Sequence, residues 1–130
     1  MLQPSFKKTL KRACVALALS FALSLAAPAH AEMIYQGVAT WYGDESGRHT
    51  ANGETYDADD LTCAHRTYAY DTLVRVHWRG RSVICRVNDR GPAKSTGVDI
   101  DLSRGSARVL GMIEAGRVHV IMEKLGKMLE

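Results

Sequence analysis

The chain has 130 residues, enough for one domain with a modest core and too few for several. Its formal net charge is +3, but four of its 17 Lys and Arg residues lie within the first 12 positions. From residue 32 onward there are 13 basic and 14 acidic residues, a net charge of −1. The positive charge therefore belongs to the N-terminus, and it gives no reason to expect binding to nucleic acid.

The first 31 residues have the pattern of a secretory signal peptide. A basic segment precedes an apolar run, 13–27, which ends before Ala29-His30-Ala31, a small-residue cleavage pattern. The run of about 15 residues is shorter than the ~20 needed to span a bilayer. No cysteine follows the expected cut after Ala31, where a lipid would be attached. We expect a periplasmic or secreted protein with no membrane anchor once the signal is removed.

Two cysteines remain after the cut, Cys63 and Cys85. In an oxidising compartment such an isolated pair most simply forms a disulfide, here closing a loop of about 20 residues. Free thiols or a metal site are the alternatives. Cys63-Ala64-His65 supplies two ligand types, but two further ligands are hard to find. The sequence predicts the disulfide and neither a metal ion nor a cofactor.

Short strands dominate the rest of the chain. Five segments rich in β-formers and bounded by glycine or polar turns are predicted strands, namely 35–42, 61–65, 73–78, 81–87 and 118–122. In the third strand Val74, Val76 and Trp78 share one face. Arg79-Gly80 is a tight hairpin turn to the fourth strand, where Val83, Cys85 and Val87 share a face.

One short helix is predicted, from Arg104 to Leu110. Ser103 is a suitable N-cap, and Gly111 suits the C-terminal stop. Gly105 weakens this helix by about 1 kcal/mol relative to alanine. We assign 32–125 to the folded domain and 126–130 to a tail. Six or so short strands with one small helix predict a closed β-barrel, whose loops meet at its rim.

Five motifs run in order through nearly the whole segment after the cut. They are Gly37-x-Ala39-x-Trp41-Tyr42-Gly43, Thr50-Ala51-Asn52-Gly53-Glu54-x-Tyr56-Asp57, Leu61-Thr62-x-Ala64-His65, Arg86-Val87-Asn88-Asp89-Arg90-Gly91-Pro92 and Ile100-Asp101-Leu102-Ser103. Together they resemble the motifs of the rare lipoprotein A family of septal-ring lytic transglycosylases. The resemblance implies a mainly β fold, a six-stranded double-psi β-barrel with one or two short helices.

The resemblance also implies an activity. It is the endolytic cleavage of the β-1,4 bond between N-acetylmuramic acid and N-acetylglucosamine in peptidoglycan, by a lyase that leaves 1,6-anhydro ends. In the family the favoured glycan strand has lost its stem peptides. Asp89 matches the family's catalytic acid, while Glu54 and His65 match its other important active-site residues.

Elementary chemistry is consistent with these roles. Glycosidic cleavage needs a proton on the leaving oxygen while positive charge builds on the sugar. A lytic transglycosylase uses the sugar's own 6-hydroxyl as nucleophile, so that one acid, which then acts as a base, can suffice. Asp89 at the end of an apolar strand suits this role. Glu54 is expected close by, favouring protonation of its neighbour or stabilising the cationic sugar, and His65 is expected to bond a carboxylate or the substrate.

Purely structural roles are the alternatives for these residues. Asp89 could be a turn former paired with Arg90, Glu54 a solvated turn residue and His65 a structural histidine. Asp101 could support Asp89 or cap the helix. We assign substrate-binding roles to four residues, Asp101, Tyr42, Tyr56 and Arg90.

The expected partner is the glycan strand of peptidoglycan, bound by a monomer. The alternative function is a non-catalytic, expansin-like module that binds wall glycan and loosens it.

Overall fold

The structure is a computed structural model that describes residues 33–129, so the predicted signal peptide lies outside the described residues. Six strands account for most of it. They are β1 (Met33–Tyr42), β2 (Thr62–His65), β3 (Thr72–Trp78), β4 (Arg81–Asp89), β5 (Ile100–Ser103) and β6 (Arg117–Lys127). One helix, α1 (Arg104–Leu110), and two short 3₁₀ turns, Asp44–Ser46 and Lys94–Thr96, complete the fold.

The strands close into a barrel in the order β1-β5-β2-β4-β3-β6. Strands β1 and β5 pair in parallel, as do β2 and β4, and the other four neighbouring pairs are antiparallel. The predicted six-stranded barrel is confirmed. Its closure leaves none of these strands as a free sheet edge.

The predicted alternation of β3 and β4 builds the core. Val74 and Val76 are fully buried, and so are Cys85 and Val87 on the neighbouring strand. The turn between the strands has positive φ at both Arg79 and Gly80, as a two-residue hairpin requires.

The predicted disulfide between Cys63 and Cys85 is confirmed. It joins β2 to β4 inside the barrel, and both residues are fully buried. Strands β2 and β4 are also paired in parallel, with Thr62 opposite Arg86 and Cys63 opposite Val87. The covalent link therefore lies in the middle of the core, between two strands that are already hydrogen-bonded.

The helix has the predicted bounds and caps. The Ser103 hydroxyl accepts a hydrogen bond from the Ser106 N–H at 3.1 Å. Gly111 ends the helix with a φ of 81° in the left-handed region. Asp101 does not cap the helix, because its carboxylate is turned to Thr40 on β1.

The last strand is longer than predicted, and this corrects the assignment of its C-terminal end. Strand β6 runs from Arg117 to Lys127 rather than from 118 to 122, so its end enters the predicted tail 126–130. Gly126 pairs with Leu73 and Lys127 with Thr72. The pairing extends because β6 lies between β1 and β3, where both of its edges find partners. Within 33–129 no helix is long and apolar enough to cross a membrane.

Candidate active site

Three residues on neighbouring strands form a row across one end of the barrel. Ala64 on β2 is paired with Asp89 on β4 and with Asp101 on β5. Strands lie about 4.8 Å apart, so the two aspartate Cα atoms are about 10 Å apart across the alanine. The small side chain between them leaves an open cleft of about 190 Å³, lined by Tyr42, Ala64, Asp89, Arg90, Gly91, Pro92 and Asp101.

Asp89 is held at the end of β4 by two backbone N–H groups. Those of Ala51 and Arg90 each donate to its Oδ1 at 2.9 Å. The Tyr42 hydroxyl donates to Oδ2 at a longer 3.4 Å. Oδ1 is thus fully engaged with the backbone, while Oδ2 is the oxygen left for chemistry in the cleft.

Asp101 is the second carboxyl group of the cleft. Its Oδ1 accepts a hydrogen bond from the Thr40 hydroxyl at 2.8 Å, across the β1–β5 pair. Burial raises the pKa of Asp101, and the nearby negative charge of Asp89 raises it further, against the Thr40 bond. The site therefore contains two carboxyl groups in different environments.

Tyr42 and Tyr56 form a stacked pair, of which one ring lines the cleft. Their centroids are 5.0 Å apart, and the Tyr56 hydroxyl donates to the Tyr42 carbonyl at 3.0 Å. Burial, and then the charge of Asp89, raises the pKa of the Tyr42 hydroxyl, which stays protonated. Burial raises the pKa of Tyr56 to about 12. Tyr56 supports Tyr42 from behind and faces a separate cavity beside Arg48.

Glu54 is not among the residues that line this cleft. Its two oxygens accept a bidentate pair of bonds from Arg86, at 2.7 and 2.8 Å. The side-chain amides of Asn52 and Asn88 donate to the same carboxylate at 2.8 and 3.1 Å. The Arg86 bonds above all, with those from the two amides, lower the pKa of Glu54 to about 2. Glu54 is therefore ionised, and its hydrogen bonds join the loop after β1 to strand β4.

His65 lies at the end of β2, outside the lining of the cleft. Its Nδ1 accepts hydrogen bonds from the backbone N–H groups of Thr67 and Tyr68, at 3.1 and 3.0 Å. The ring stacks on Tyr68 with centroids 3.6 Å apart. Burial, and then the charge of Arg66, lowers the pKa of His65 to about 4. The imidazole is neutral near pH 7, with its proton on Nε2.

Arg90 lines the cleft but does not pair with Asp89. Its guanidinium lies over the Tyr70 ring, 3.9 Å from the centroid. Nη1 donates to the backbone carbonyls of His65 and Asp89 at 3.3 and 3.4 Å. The sequence-based alternative of a turn closed by an Asp89–Arg90 ion pair therefore does not describe this geometry.

No functional role is predicted from the sequence for Ala64, Arg86 or Tyr70. Arg86 begins one of the five motifs and lies on the polar face of β4, but neither fact identifies it as the partner of Glu54. Nothing in the local sequence marks Ala64 as the floor of a cleft or Tyr70 as a platform for Arg90, because both roles depend on pairing between distant strands.

Larger cavities lie elsewhere on the barrel. One of about 450 Å³ is beside the β3–β4 hairpin and includes Trp78 and Arg79. Size does not identify the reactive site here, because the two aspartates that share a cleft are at the smaller one. Within 33–129 no group of three or more His, Cys, Asp or Glu residues is placed to hold a metal ion.

Comparison with known proteins places this geometry in a family. The family model described as lytic transglycolase matches residues 34–122. A probable endolytic peptidoglycan transglycosylase RlpA of Nostoc sp. is 48% identical over 98 residues, which cover 72% of this chain and 26% of that protein. Endolytic peptidoglycan transglycosylases RlpA of Neisseria meningitidis and Pseudomonas aeruginosa are 43% and 50% identical, over 73% and 67% of this chain.

The chain spans only 41% of the Neisseria protein and 26% of the Pseudomonas protein. Among solved structures, a Streptomyces papain inhibitor is similar with a TM-score of 0.59 and 22% identity, covering 70% of this chain and 93% of that one. An expansin of Clavibacter michiganensis, solved in complex with cellohexaose, has a TM-score of 0.60 at 22% identity, over 75% of this chain and 53% of that one.

The structural likenesses show the fold alone, and they agree with the predicted β-barrel. The family model covers well over half of the chain, and the RlpA proteins match the same segment. The resemblance found in the sequence motifs is thereby confirmed, and this chain belongs to the lytic transglycolase family that includes the RlpA proteins.

Proposed function

We propose that the protein is an endolytic peptidoglycan lytic transglycosylase. It cleaves the β-1,4 bond between N-acetylmuramic acid and N-acetylglucosamine in peptide-stripped strands and leaves 1,6-anhydro ends. The observation that carries the proposal is the pair of aspartates, Asp89 and Asp101, on one open cleft in a chain of this family. The names of the relatives support the same class of reaction.

Asp89 is the acid and then the base. Because Oδ1 accepts two backbone bonds, the proton lies on Oδ2 and is given to O4 of the leaving N-acetylglucosamine. The bond from that oxygen to C1 of the muramic acid breaks. The 6-hydroxyl oxygen of the same sugar bonds to C1, and its proton returns to Oδ2 of Asp89. No water is consumed, and the enzyme regains its starting state.

Asp101 and Tyr42 orient the sugar beside Asp89. Oδ1 of Asp101 is occupied by Thr40, so Oδ2 is the oxygen that binds a sugar hydroxyl. The Tyr42 ring presents an apolar face to the sugar while its hydroxyl holds Asp89.

Glu54 and His65 act as positioning residues. Glu54 ties the loop that carries Ala51 to strand β4, and Ala51 supplies one of the two bonds to Asp89. The His65 ring accepts two backbone N–H bonds from the turn after β2 and so fixes the backbone at this position, where the His65 carbonyl accepts a bond from Arg90. Their substitution therefore disturbs Asp89 and Arg90 rather than removing a proton donor.

The test is digestion of purified, peptide-stripped sacculi followed by mass spectrometry of the soluble products. Anhydro-ended fragments from the wild type that disappear with Asp89→Asn support the proposal. Reducing-end products would instead show a hydrolase, and binding to sacculi without any product would show a wall-loosening module. Asp60→Asn is a matched control, because Asp60 is an exposed aspartate outside the cleft.

Export completes the proposal. The basic and apolar pattern of residues 1–31 supports a periplasmic or secreted location, where peptidoglycan is found. N-terminal sequencing of the protein from the producing cell should begin at Glu32. A mature chain that still began at Met1 would contradict export through this signal.

A further inference from the structure

The Arg90 guanidinium is the positive charge in a cleft that otherwise contains two aspartates. Among residues 33–129 no carboxylate lies within ion-pair distance of it, whereas the neighbouring Arg66 is paired with Asp99 at 3.2 Å. Arg90 donates to two backbone carbonyls, and both hydrogen bonds come from Nη1. Nη2 and Nε therefore remain as donors for a ligand.

The cation is also held in place. Tyr70 packs against the core, and the Arg90 guanidinium lies over its ring, with Cζ 3.9 Å from the ring centroid. An arginine fixed in this way loses little side-chain entropy when it binds a planar anion, and its fork matches a carboxylate. The exposed guanidinium of Arg90 thus offers a carboxylate its free donors at the cleft that Asp89 also lines.

Muramic acid supplies that carboxylate. Its lactyl ether, on the same sugar ring as the carbon attacked in the reaction, ends in a free carboxylate when no peptide is attached. With a stem peptide present, the same group is an uncharged amide followed by a bulky chain. Asp89 and Arg90 line the same cleft, so a ring placed with its scissile bond at Asp89 has its lactyl group within reach of Arg90.

We propose that Arg90 is a specificity-determining residue that pairs with the free lactyl carboxylate of the muramic acid whose glycosidic bond is cleaved. This inference rests on the proposed function. It gives a physical reason why the enzyme would select peptide-stripped strands. A charge-assisted pair of this kind corresponds to roughly a tenfold to hundredfold preference for carboxylate over amide.

The experiment compares two substrates that differ only at this group. One is peptide-stripped glycan strands, and the other is the same strands with their lactyl carboxylates converted to methylamides. The wild type should cleave the carboxylate form tenfold to a hundredfold faster. Arg90→Gln should lose that factor on the carboxylate form and treat both substrates alike, while Arg90→Lys, which keeps the charge without the fork, should be intermediate.

Arg79→Gln is the matched control. Arg79 also lies over an aromatic ring, that of Trp78 at 4.6 Å, but it borders the cavity at the β3–β4 hairpin, away from the aspartates. It should keep the wild-type preference. A preference retained by Arg90→Gln, with thermal unfolding like that of the wild type, would overturn the inference, as would a wild type that cleaves both substrates equally.

Binding separates this inference from the proposed function. The affinity of Asp89→Asn for the two kinds of strand is measured by calorimetry, with and without Arg90→Gln, so that no catalysis is needed. Tighter binding of the carboxylate strands that disappears with Arg90→Gln supports the lactyl pairing even if the wild type releases no anhydro product. Anhydro products formed without any such difference in binding or rate would overturn the pairing and leave the proposed reaction standing.

Discussion

At the scale of single residues, one ionised cluster fixes the loop that reaches Asp89. Glu54 is bound by Arg86, which also donates to Asp71 at 3.0 Å. Asn88, beside Asp89 in sequence, is buried and donates to the same glutamate. The cluster therefore couples the charge of Glu54 to the backbone around Asp89 without placing the glutamate in the cleft.

Replacement of Glu54 by glutamine should destabilise the protein by about 1–3 kcal/mol at pH 7, a range that partial exposure of the pair shifts toward its lower end. Arg86 chiefly lowers the pKa of Glu54 from 4.5 to about 2 in the folded state. The pairing thus stabilises the fold fully above pH 4.5, and this stabilisation is lost as the pH falls toward 2. The measurement is denaturant unfolding of both proteins at pH 7 and pH 3.

Glu114→Gln is the control, because Glu114 is exposed and takes part in no ion pair among residues 33–129. It should change the free energy of unfolding by less than about 0.5 kcal/mol at either pH. An equal loss for Glu54→Gln at pH 7 and pH 3 would contradict the assigned role of its charge.

The residue types of this site could be predicted from the sequence, but their partners could not. The motifs single out both Asp89 and Glu54, and they predict the glutamate beside the aspartate. Its partner, Arg86, is 32 positions away, and the bidentate contact depends on how a loop folds onto β4. Spacing along the chain carries no information about such a contact.

At the scale of elements, the capping residues of α1 predict where the helix begins and ends, but they do not explain why Gly105 lies within it. Ser103 and Gly111 were enough to place both ends of α1. For Gly105 the sequence predicts only that it weakens the helix. In the structure its N–H donates to the Ala58 carbonyl at 2.7 Å, so the helix start is pressed against the backbone of the loop before β2.

Gly105→Ala should therefore destabilise the protein, although alanine favours an isolated helix by about 1 kcal/mol. A Cβ atom at this position would lie 2.6 Å from the Asp59 carbonyl carbon, which forces the helix and loop apart. We expect a loss of about 1–3 kcal/mol in denaturant unfolding. Val109→Ala, at an exposed position of the same helix, should stay within about 0.5 kcal/mol of the wild type. A Gly105→Ala protein more stable than the wild type would contradict this expectation, because it would show that the loop before β2 moves to make room for the Cβ atom.

At the scale of the whole molecule, closure of the barrel assembles the cleft. The β4-β2-β5 order places Asp89 and Asp101 on either side of Ala64, although they are separated from it by 25 and 37 positions along the chain. Five of the six strands, all except β5 (Ile100–Ser103), could be predicted from turns and alternation, and the count of six rests on the family resemblance. The strand order could not, because it depends on which long-range pairs are hydrogen-bonded after the barrel has closed.

The row makes a prediction about Ala64, whose side chain separates the two aspartates on the cleft floor. Ala64→Leu adds three carbon atoms to a cleft of about 190 Å³ and should reduce anhydro-product formation roughly a hundredfold by displacing the sugar from Asp89. Ala64→Gly, which leaves the cleft open, should retain product formation although it costs about 1 kcal/mol of stability. The measurements are product rates by mass spectrometry and thermal unfolding of each variant. A folded Ala64→Leu protein with wild-type rates would show that the sugar does not occupy the space between the aspartates.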